Sequence, residues 1–330
     1  MTIPSDLMQC GHPKSDLVSS DEGTSYCAGC DLDSRYEPTI QLYTGDCIDI
    51  MKRYVPTDSI DLVFGSPPYE DARTYGLDNC VTGQAWVDWM VSVVVESLRV
   101  CTGLTAFVVE GRTRKYAWSC TPALLIADLH RAGIAVRKPP IFHRSGIPGC
   151  SGPDWLRNDY EIIVCATRGG PLPWSNNTAM GSPPKCKPGG DLTNRLADGR
   201  RVRVAGAPTL YFGKDRGDYE RTQKYIPPAI ANPGNVIRAP GGHVGSKLAH
   251  ENEAPFPEGL AEFFIRSFCP PDGWVLDPFS GSGTTAAVAL RCHRNALGID
   301  IRESQTDLAH RRIQSERIPT VQAANQEAKD

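Results

Sequence analysis

The sequence lacks any apolar run long enough to cross a membrane. Its longest apolar stretches, such as VSVVVESL and TPALLIADL, are interrupted by Glu or Asp well before the roughly 20 residues that a spanning helix needs. Its first residues, MTIPSDLMQCGHP, have neither the basic start nor the apolar core of a secretory leader. We therefore expect a soluble protein of the reducing cytoplasm, with no membrane partner.

Cysteine is plentiful, with 12 residues, but most are isolated in apolar or mixed segments, as expected for reduced core residues. The exception is the N-terminal stretch CGHPKSDLVSSDEGTSYCAGC. Its C-x-H and C-x-x-C pairs predict a structural zinc site, because thiolates and imidazole suit tetrahedral zinc. The alternative is a set of free thiols in a mobile tail. The predicted ligands are Cys10, His12, Cys27 and Cys30.

The small net charge of −3 hides two regions of opposite sign. Residues 1–34 contain one Lys against six acidic side chains. Residues 185–248 contain twelve Lys or Arg against five acidic side chains. The basic region would suit a polyanion such as a nucleic acid, and a solvated basic loop is the alternative.

The order of predicted elements indicates an α/β fold. Strands and helices alternate over residues 37–168, which predicts a mostly parallel sheet with helices on both faces. From 169 to 250 the pattern gives way to Gly, Pro, Asn and basic residues, which indicates an insertion. The alternation resumes over 251–315, and a tail follows at 316–330. Residues 1–36 form the predicted zinc-binding segment.

One resumed strand runs into a glycine-rich loop in WVLDPFSGSGTT. The strand is predicted to end at Asp277, and a helix to open at Thr284 after Gly281 and Gly283. The next strand, ALGID, ends at Asp300, where a carboxylate can hold ribose hydroxyls. These features predict a nucleoside-binding half-sheet. A dinucleotide is disfavoured, since Ala286 stands where G-x-G-x-x-G has its last glycine.

A second strand, in DLVFGSPPYE, ends in a segment with few backbone donors. Taken together, GSPPY, DPFSGSGTT, APFPEGL and GID resemble the permuted, beta-class amino DNA methyltransferases, over most of residues 40–312. The resemblance implies a Rossmann-like S-adenosylmethionine-dependent methyltransferase fold with a mixed, mostly parallel sheet. Residues 37–168 would be its catalytic half, 169–250 an irregular target-recognition insertion, and 251–315 its cofactor-binding half.

The resemblance also implies an activity. The protein would transfer a methyl group from S-adenosylmethionine to the exocyclic nitrogen of a base rotated out of double-stranded DNA. Its setting would be the cytoplasm of a bacterial or phage-infected cell. A homodimer and a cognate restriction endonuclease remain open as further partners.

The donor-poor segment suits this chemistry. An exocyclic amino nitrogen is a poor nucleophile because its lone pair is delocalised into the ring. The Ser66 hydroxyl and the Pro67 carbonyl can accept its two N–H groups and release that lone pair. Pro67 and Pro68 have no N–H of their own to compete, and Tyr69 offers a ring on which the base stacks.

The target base stays open between two choices. Ser at position 66 resembles the cytosine-N4 enzymes, whereas adenine-N6 enzymes usually carry Asp there, so we favour cytosine N4. Methylation at cytosine C5 is disfavoured because the sequence lacks a Pro-Cys dipeptide for a thiolate nucleophile. A non-catalytic DNA-binding module of the same fold is the alternative from another class.

The resemblance extends to the remaining site residues. The predicted cofactor-binding residues are Asp46, Phe256, Asp277, Pro278, Phe279, Gly281, Gly283, Thr284 and Asp300. Basic side chains after the FVVEG strand and in the insertion are expected to contact DNA, mostly at phosphates. They are Arg112, Arg114, Lys115, Arg200, Arg201 and Arg203.

Overall fold

A computed structural model describes residues 37–70, 81–145, 154, 156–183, 230–240 and 257–327, together with four short strands elsewhere in the chain. The strands described are β1 (Leu17–Ser19), β2 (Ser25–Cys27), β3 (Ile40–Thr44), β4 (Ile60–Gly65), β5 (Cys101–Val109), β6 (Thr113–Arg114), β7 (Ala117–Trp118), β8 (Ala135–Arg137), β9 (Ile141–Ser145), β10 (Tyr160–Thr167), β11 (Leu192–Arg195), β12 (Arg201–Val204), β13 (Val236–Pro240), β14 (Trp274–Asp277) and β15 (Asn295–Asp300). The helices described are α1 (Cys47–Tyr54), α2 (Gln84–Val100), α3 (Thr121–Arg131), α4 (Glu258–Phe268), α5 (Thr284–Arg291) and α6 (Glu303–Glu327).

A mixed sheet organises these elements, with the strand order β13-β9-β10-β5-β4-β14-β15-β3 and β8 beside β10. The five strands from β5 to β3 run parallel, whereas β10 runs antiparallel to both β5 and β9. Strands β4 and β15 are almost wholly buried, as expected for parallel strands covered on both faces. The predicted α/β fold with a mixed, mostly parallel sheet is confirmed.

Two hydrophobic cores flank the sheet. One joins Leu62 and Phe64 of β4 to apolar side chains of α4, α5 and α6. The other joins Val63 to apolar side chains of α1, α2 and α3. Because alternate residues of a strand point to opposite faces, one short strand contributes to both cores. The prediction of helices on both faces is therefore confirmed.

The direction of the connections reverses between β4 and β14. From β4 the chain passes through α2 to β5, and from β14 it passes through α5 to β15 on the other side. In open α/β sheets a ligand crevice forms where the carboxyl ends of two such strands diverge. The GSPPY segment and the glycine-rich loop are the two segments that leave this point.

The predicted insertion contributes to the same sheet. Val236–Pro240, near its end, forms β13 and pairs in parallel with β9 at the sheet edge. The insertion is thus anchored to the sheet rather than attached only through its ends. Among the described residues, no helix combines the length and apolarity that a membrane span would need.

Candidate active site

The loop after β4 keeps two oxygen acceptors available. The Ser66 hydroxyl lies 3.2 Å from the Val108 carbonyl, to which it donates, so its lone pairs remain able to accept. The buried Trp86 indole donates to the Pro68 carbonyl at 2.9 Å and holds that peptide in place. The Pro67 carbonyl, by contrast, accepts no hydrogen bond from the residues that the structure describes.

Tyr69 is held by its hydroxyl. This half-buried phenol donates to Glu161 Oε2 at 3.0 Å, and its oxygen also lies 3.4 Å from Ser66 Oγ. Burial, and then the negative charge of Glu161, raise the pKa of Tyr69 well above its ordinary value. The phenol therefore stays protonated and its ring orientation is fixed from one end.

Glu161 is a site residue that the sequence motifs did not reveal. It lies on β10, is only 7% exposed, and its Oε1 is 3.0 Å from Arg144 Nη1 on β9. Burial raises the pKa of Glu161, while the Arg144 guanidinium opposes the rise. YEIIVCAT reads as an ordinary strand, so only its pairing with β5 places Glu161 beside the GSPPY loop.

Glu110 brings a further carboxylate to this region. It follows β5, and its Oε1 accepts from Gly111 N at 2.9 Å and from Trp118 Nε1 at 3.1 Å. Its buried Oε2 has no hydrogen-bond partner among the described residues. Burial raises the pKa of Glu110, and the charge of Glu161 adds to the rise.

Glu70 anchors the far end of the loop. This buried side chain accepts from Gly83 N at 2.7 Å and from Thr121 Oγ1 at 3.4 Å. Since these partners lie at the starts of α2 and α3, the carboxylate also complements the helix dipoles there. The GSPPY segment is therefore fixed at both ends by buried contacts.

Unlike the proline-containing loop after β4, the loop after β14 depends on glycines. Gly281 and Gly283 adopt φ of 49° and 76°, in the left-handed region that favours glycine. A Cβ on Gly283 would stand 2.9 Å from Ala309 Cβ, so the site has no room for one. Gly281 N donates to Asp300 Oδ2 at 3.0 Å. The buried Ser280 hydroxyl has no hydrogen-bond partner among the described residues.

Asp277 is the last residue of β14, directly before this loop. Its Oδ1 accepts from Phe279 N at 2.9 Å and its Oδ2 from Thr285 Oγ1 at 2.6 Å. Burial raises the pKa of Asp277 to about 7 despite these two hydrogen bonds, and the charge of Asp300 contributes. A Cβ on Gly65 would lie 2.3 Å from Asp277 Oδ1, so the two loops touch directly.

Three of the remaining predicted cofactor residues, Pro278, Phe279 and Thr284, lie in or directly after the same loop. Phe279 packs against Trp89 and Phe107, with ring centroids 5.6 and 5.9 Å away. Pro278 is buried between Asp277 and Phe279. Thr284 opens α5 and is buried. Phe256 lies outside the described residues.

Asp46 joins the same edge from β3. It is exposed and caps α1, because its Oδ1 accepts from the backbone N–H of Ile48 and Asp49 at 2.9 and 3.1 Å. Gly45 N, one residue earlier, donates to the Asp300 carbonyl at 2.9 Å. Capping engages only Oδ1, so the other oxygen is left to accept from a ligand.

Arg312 supports the loop from behind. This fully buried residue of α6 donates to Thr284 Oγ1 at 2.9 Å and also pairs with Glu258. Burial lowers the pKa of the Arg312 guanidinium, and the negative charge of Glu258 opposes the change. No motif marks this arginine in the sequence, because its role depends on how α6 packs over the start of α5.

The glycine-rich loop after β14, together with the carboxylates of Asp46, Asp277 and Asp300, suits an adenosine ligand that also carries an amino acid. Glycines at positive φ let the backbone approach closely, and the buried Ser280 hydroxyl has no hydrogen-bond partner in the part of the chain that the structure describes. Carboxylates stand at the ends of three neighbouring parallel strands, as Asp277, Asp300 and, just after β3, Asp46. Such groups accept from hydroxyl, amino and ammonium donors.

Three of the predicted DNA contacts lie shortly after β5, near the edge of the sheet where the carboxyl ends of the parallel strands meet. Arg112 precedes the β6–β7 hairpin, Arg114 belongs to β6, and Lys115 lies in the turn with φ of 47°. Arg114 and Lys115 are exposed. Arg200 lies outside the described residues, whereas Arg201 and Arg203 belong to β12, which pairs with β11.

The predicted zinc ligands fall mostly outside the described residues. Cys10, His12 and Cys30 lie outside the described residues. Cys27 is the last residue of β2 and pairs with Leu17 of β1. In the part of the chain that the structure describes, no group of three His, Cys, Asp or Glu side chains is placed to hold a metal.

Comparison with known proteins finds one matching family. The model of the DNA methylase family matches residues 60–311. An orphan methyltransferase of Bacillus amyloliquefaciens, M.BamHII, is 27% identical over 80% of this chain and 92% of its own length. The DNA adenine methyltransferase YhdJ of Escherichia coli K12 is 25% identical over 82% of this chain and 81% of its own length.

A solved structure also shares the fold. The cytosine-N4-specific PvuII DNA methyltransferase superimposes with a TM-score of 0.59 at 18% identity, covering 84% of this chain and 89% of that one. The match of the family model over residues 60–311 confirms the family resemblance indicated by the sequence motifs.

Proposed function

This chain belongs to the DNA methylase family, and from that premise we propose that it transfers a methyl group from S-adenosyl-L-methionine to N4 of a cytosine in double-stranded DNA. The observation that carries the proposal is the pair of available acceptors beside Tyr69. The Ser66 hydroxyl can donate to the Val108 carbonyl at 3.2 Å, which leaves its lone pairs able to accept, and the Pro67 carbonyl accepts no hydrogen bond from the described residues.

These acceptors suit the amino group of a base. Each can hold one N–H, which draws the nitrogen out of conjugation and exposes its lone pair for attack. The Tyr69 ring, oriented by Glu161, supplies a face against which a base rotated out of the duplex stacks. The chemistry needs no covalent bond between enzyme and base.

S-adenosyl-L-methionine supplies an electrophilic methyl group on a positively charged sulfur. The residues that would hold it are Asp46, Phe256, Asp277, Pro278, Phe279, Gly281, Gly283, Thr284 and Asp300. Asp277 borders the GSPPY loop, since a Cβ added to Gly65 would stand 2.3 Å from Asp277 Oδ1. Contacts there with the methionine part would direct the methyl group towards Ser66.

The basic residues suit the phosphate backbone. Arg114 and Lys115 are exposed on the hairpin that follows β5, the strand whose Val108 contacts Ser66. Arg112 lies just before that hairpin, and Arg200, Arg201 and Arg203 belong to the basic insertion. Cationic side chains of this kind position a duplex without reading its sequence.

The choice of cytosine N4 rests on Ser66 and on the fold shared with the PvuII cytosine-N4 enzyme. The adenine methyltransferase YhdJ, at 25% identity, supports adenine N6 as the second candidate. A hydroxyl and a carboxylate both accept from an amino group, so the acceptor alone permits either base.

Incubation of the purified protein with DNA and labelled S-adenosyl-L-methionine, followed by nucleoside mass spectrometry, tests the proposal. We expect N4-methylcytosine from the wild type and far slower formation of it by Ser66→Ala. Formation of N6-methyladenine alone would show that the base assignment is wrong. If no methylated base forms on any DNA, the activity itself is contradicted, and failure to bind the cofactor in calorimetry would then favour a non-catalytic DNA-binding module.

The N-terminal segment has a separate proposed role. We propose that Cys10, His12, Cys27 and Cys30 hold a structural zinc ion, and elemental analysis of the purified protein tests this directly. Sedimentation of the protein with and without DNA tests for a homodimer. A cognate endonuclease would be revealed by cleavage of DNA that lacks the modification.

A further inference from the structure

We propose that Glu161 is the terminal proton acceptor of the methyl transfer, reached from the target amino group through the hydroxyls of Ser66 and Tyr69. The inference rests on the proposed amino-group methylation and names the group that takes up the proton which that reaction releases. Glu161 lies on β10, outside both sequence motifs, and it would accept a proton that the GSPPY loop has no carboxylate positioned to take up.

The three side chains form a continuous line of oxygen atoms. Ser66 Oγ lies 3.4 Å from the Tyr69 hydroxyl, which lies 3.0 Å from Glu161 Oε2. An ionised carboxylate can only accept, so Tyr69 donates its single proton to Glu161. The phenol oxygen can then only accept, and among the described residues Ser66 is placed to donate to it. The direction of donation along the line is therefore set from Ser66 towards Glu161.

Ser66 can switch from one hydrogen-bond acceptor to another by rotating its hydroxyl hydrogen alone. Its hydroxyl hydrogen has two acceptors within reach, the Val108 carbonyl at 3.2 Å and the Tyr69 oxygen at 3.4 Å. Rotation about one bond exchanges them, and in both orientations lone pairs remain for an N–H of the base. The serine can thus hold the amino group first and release a proton towards Tyr69 afterwards.

A proton must leave because methylation makes the nitrogen cationic. The nitrogen lone pair forms the bond to the methyl carbon, and the carbon–sulfur bond breaks with its electron pair on sulfur. The excess proton passes from nitrogen to Ser66 as the serine proton passes to Tyr69 and the phenol proton to Glu161. Both hydroxyls are restored, the carboxylate becomes neutral, and the sulfonium charge disappears, so charge is conserved.

The surroundings of Glu161 suit an acceptor. Arg144 contacts its other oxygen, Tyr69 donates to it, and Glu110 lies close by after β5. His143 and Asp159, next to these residues in sequence, pair with each other at 3.6 Å. Burial raises the pKa of Glu161, which makes its carboxylate a stronger base than an exposed one.

Single-turnover methylation measured against pH tests the proposal. Only ionised Glu161 can accept, so the wild-type rate should rise as pH increases through a pKa above the ordinary carboxyl range. Glu161→Gln and Tyr69→Phe should each lower the rate by roughly 10²- to 10⁴-fold and abolish this pH dependence. Glu96→Gln is the matched control, since Glu96 is also buried and paired with an arginine, Arg99, but lies on α2.

A second measurement separates proton transfer from a merely structural role. In a substrate identified by the methylation assay, 2-aminopurine next to the target base reports its rotation out of the stack. Glu161→Gln and Tyr69→Phe should preserve this fluorescence change and the affinity for the cofactor, because both keep the ring at position 69. If Glu161→Gln fails to fold, the rate and the pH dependence of Tyr69→Phe test the proton relay instead.

The outcomes distinguish the two proposals. A wild-type protein that methylates no base contradicts the proposed function. A wild type that methylates DNA while Glu161→Gln keeps both its rate and its pH dependence overturns the relay alone. Loss of the pH dependence in Glu110→Gln but not in Glu161→Gln overturns it too, because the proton would then go to Glu110.

Discussion

The loops that leave β4 and β14 start from neighbouring parallel strands and touch at Gly65 and Asp277, yet their hydrogen-bonding chemistry is opposite. The β4 loop has prolines and leaves oxygen acceptors available. The β14 loop has glycines at positive φ and brings its backbone close to any ligand. One crevice can therefore hold an amino group on one side and a nucleoside on the other.

The two loops also differ in what supports them. The β4 loop is held by Trp86 of α2, by Glu161 of β10 and by its own Glu70, which accepts from Gly83 before α2. The β14 loop is held by Thr285 of α5 and Asp300 of β15, with Arg312 of α6 behind it. Substitutions in the β4 loop should therefore affect the chemical step, and substitutions in the β14 loop should affect cofactor binding.

Ser66→Ala should have the largest effect. Loss of an acceptor for the amino group should lower the methyl-transfer rate by roughly 10²- to 10⁴-fold, as is typical when a group that assists proton transfer is removed. The dissociation constant for S-adenosyl-L-methionine, measured by calorimetry, should stay near that of the wild type. Ser92→Ala on α2 is the control, and an equal loss of cofactor binding would contradict the assigned role.

The next largest effect should be the difference in turnover between Tyr69→Ala and Tyr69→Phe. A base stacked on an aromatic side chain gains about 1–3 kcal/mol, so removing the ring should weaken turnover by roughly 5- to 150-fold beyond any loss seen in Tyr69→Phe. Cofactor affinity should again be unchanged. The exposed Tyr54 on α1 provides a control through Tyr54→Ala. Cofactor affinity that falls as much as turnover would be evidence against a base-stacking role.

Gly283→Ala should show the converse pattern. An L-residue in the left-handed region costs about 1–2 kcal/mol, which corresponds to roughly 5- to 30-fold weaker cofactor binding if the loop must shift to relieve it. The new Cβ would also meet Ala309. Gly259→Ala on α4, where nothing lies within 4 Å of an added Cβ, is the control. Unchanged affinity in Gly283→Ala would separate this glycine from cofactor binding.

The smallest effect should be a pH dependence of cofactor affinity. Asp277 has a pKa of about 7, so its carboxylate form predominates only above that pH. The carboxylate attracts the positive charges of S-adenosyl-L-methionine, so affinity should increase severalfold as pH rises through 7. Asp277→Asn should remove this dependence. Calorimetry across pH 6–8 provides the measurement, and a wild-type affinity that falls with rising pH would contradict the prediction.

Local features of the site were predictable because they depend on adjacent residues. Consecutive prolines remove backbone donors wherever they stand, and closely spaced glycines after a strand indicate a tight loop before a helix. The strand and helix alternation likewise indicated a mostly parallel sheet, which the structure confirms. Pairing of β13 with β9 was not predictable, because the composition of residues 169–250 gives no sign of a strand that joins the sheet.

What the sequence alone determined is the chemistry of each loop, since Ser66 and Pro67, or Gly281 and Gly283, are fixed side by side in the chain. What only the tertiary structure decided is which distant groups meet them. Glu161 reaches Tyr69 because β10 pairs antiparallel with β5, and that register is set by burial of whole strand faces rather than by any short motif. The acceptors are local, but the residue that orients the tyrosine beside them comes from the packing of the sheet.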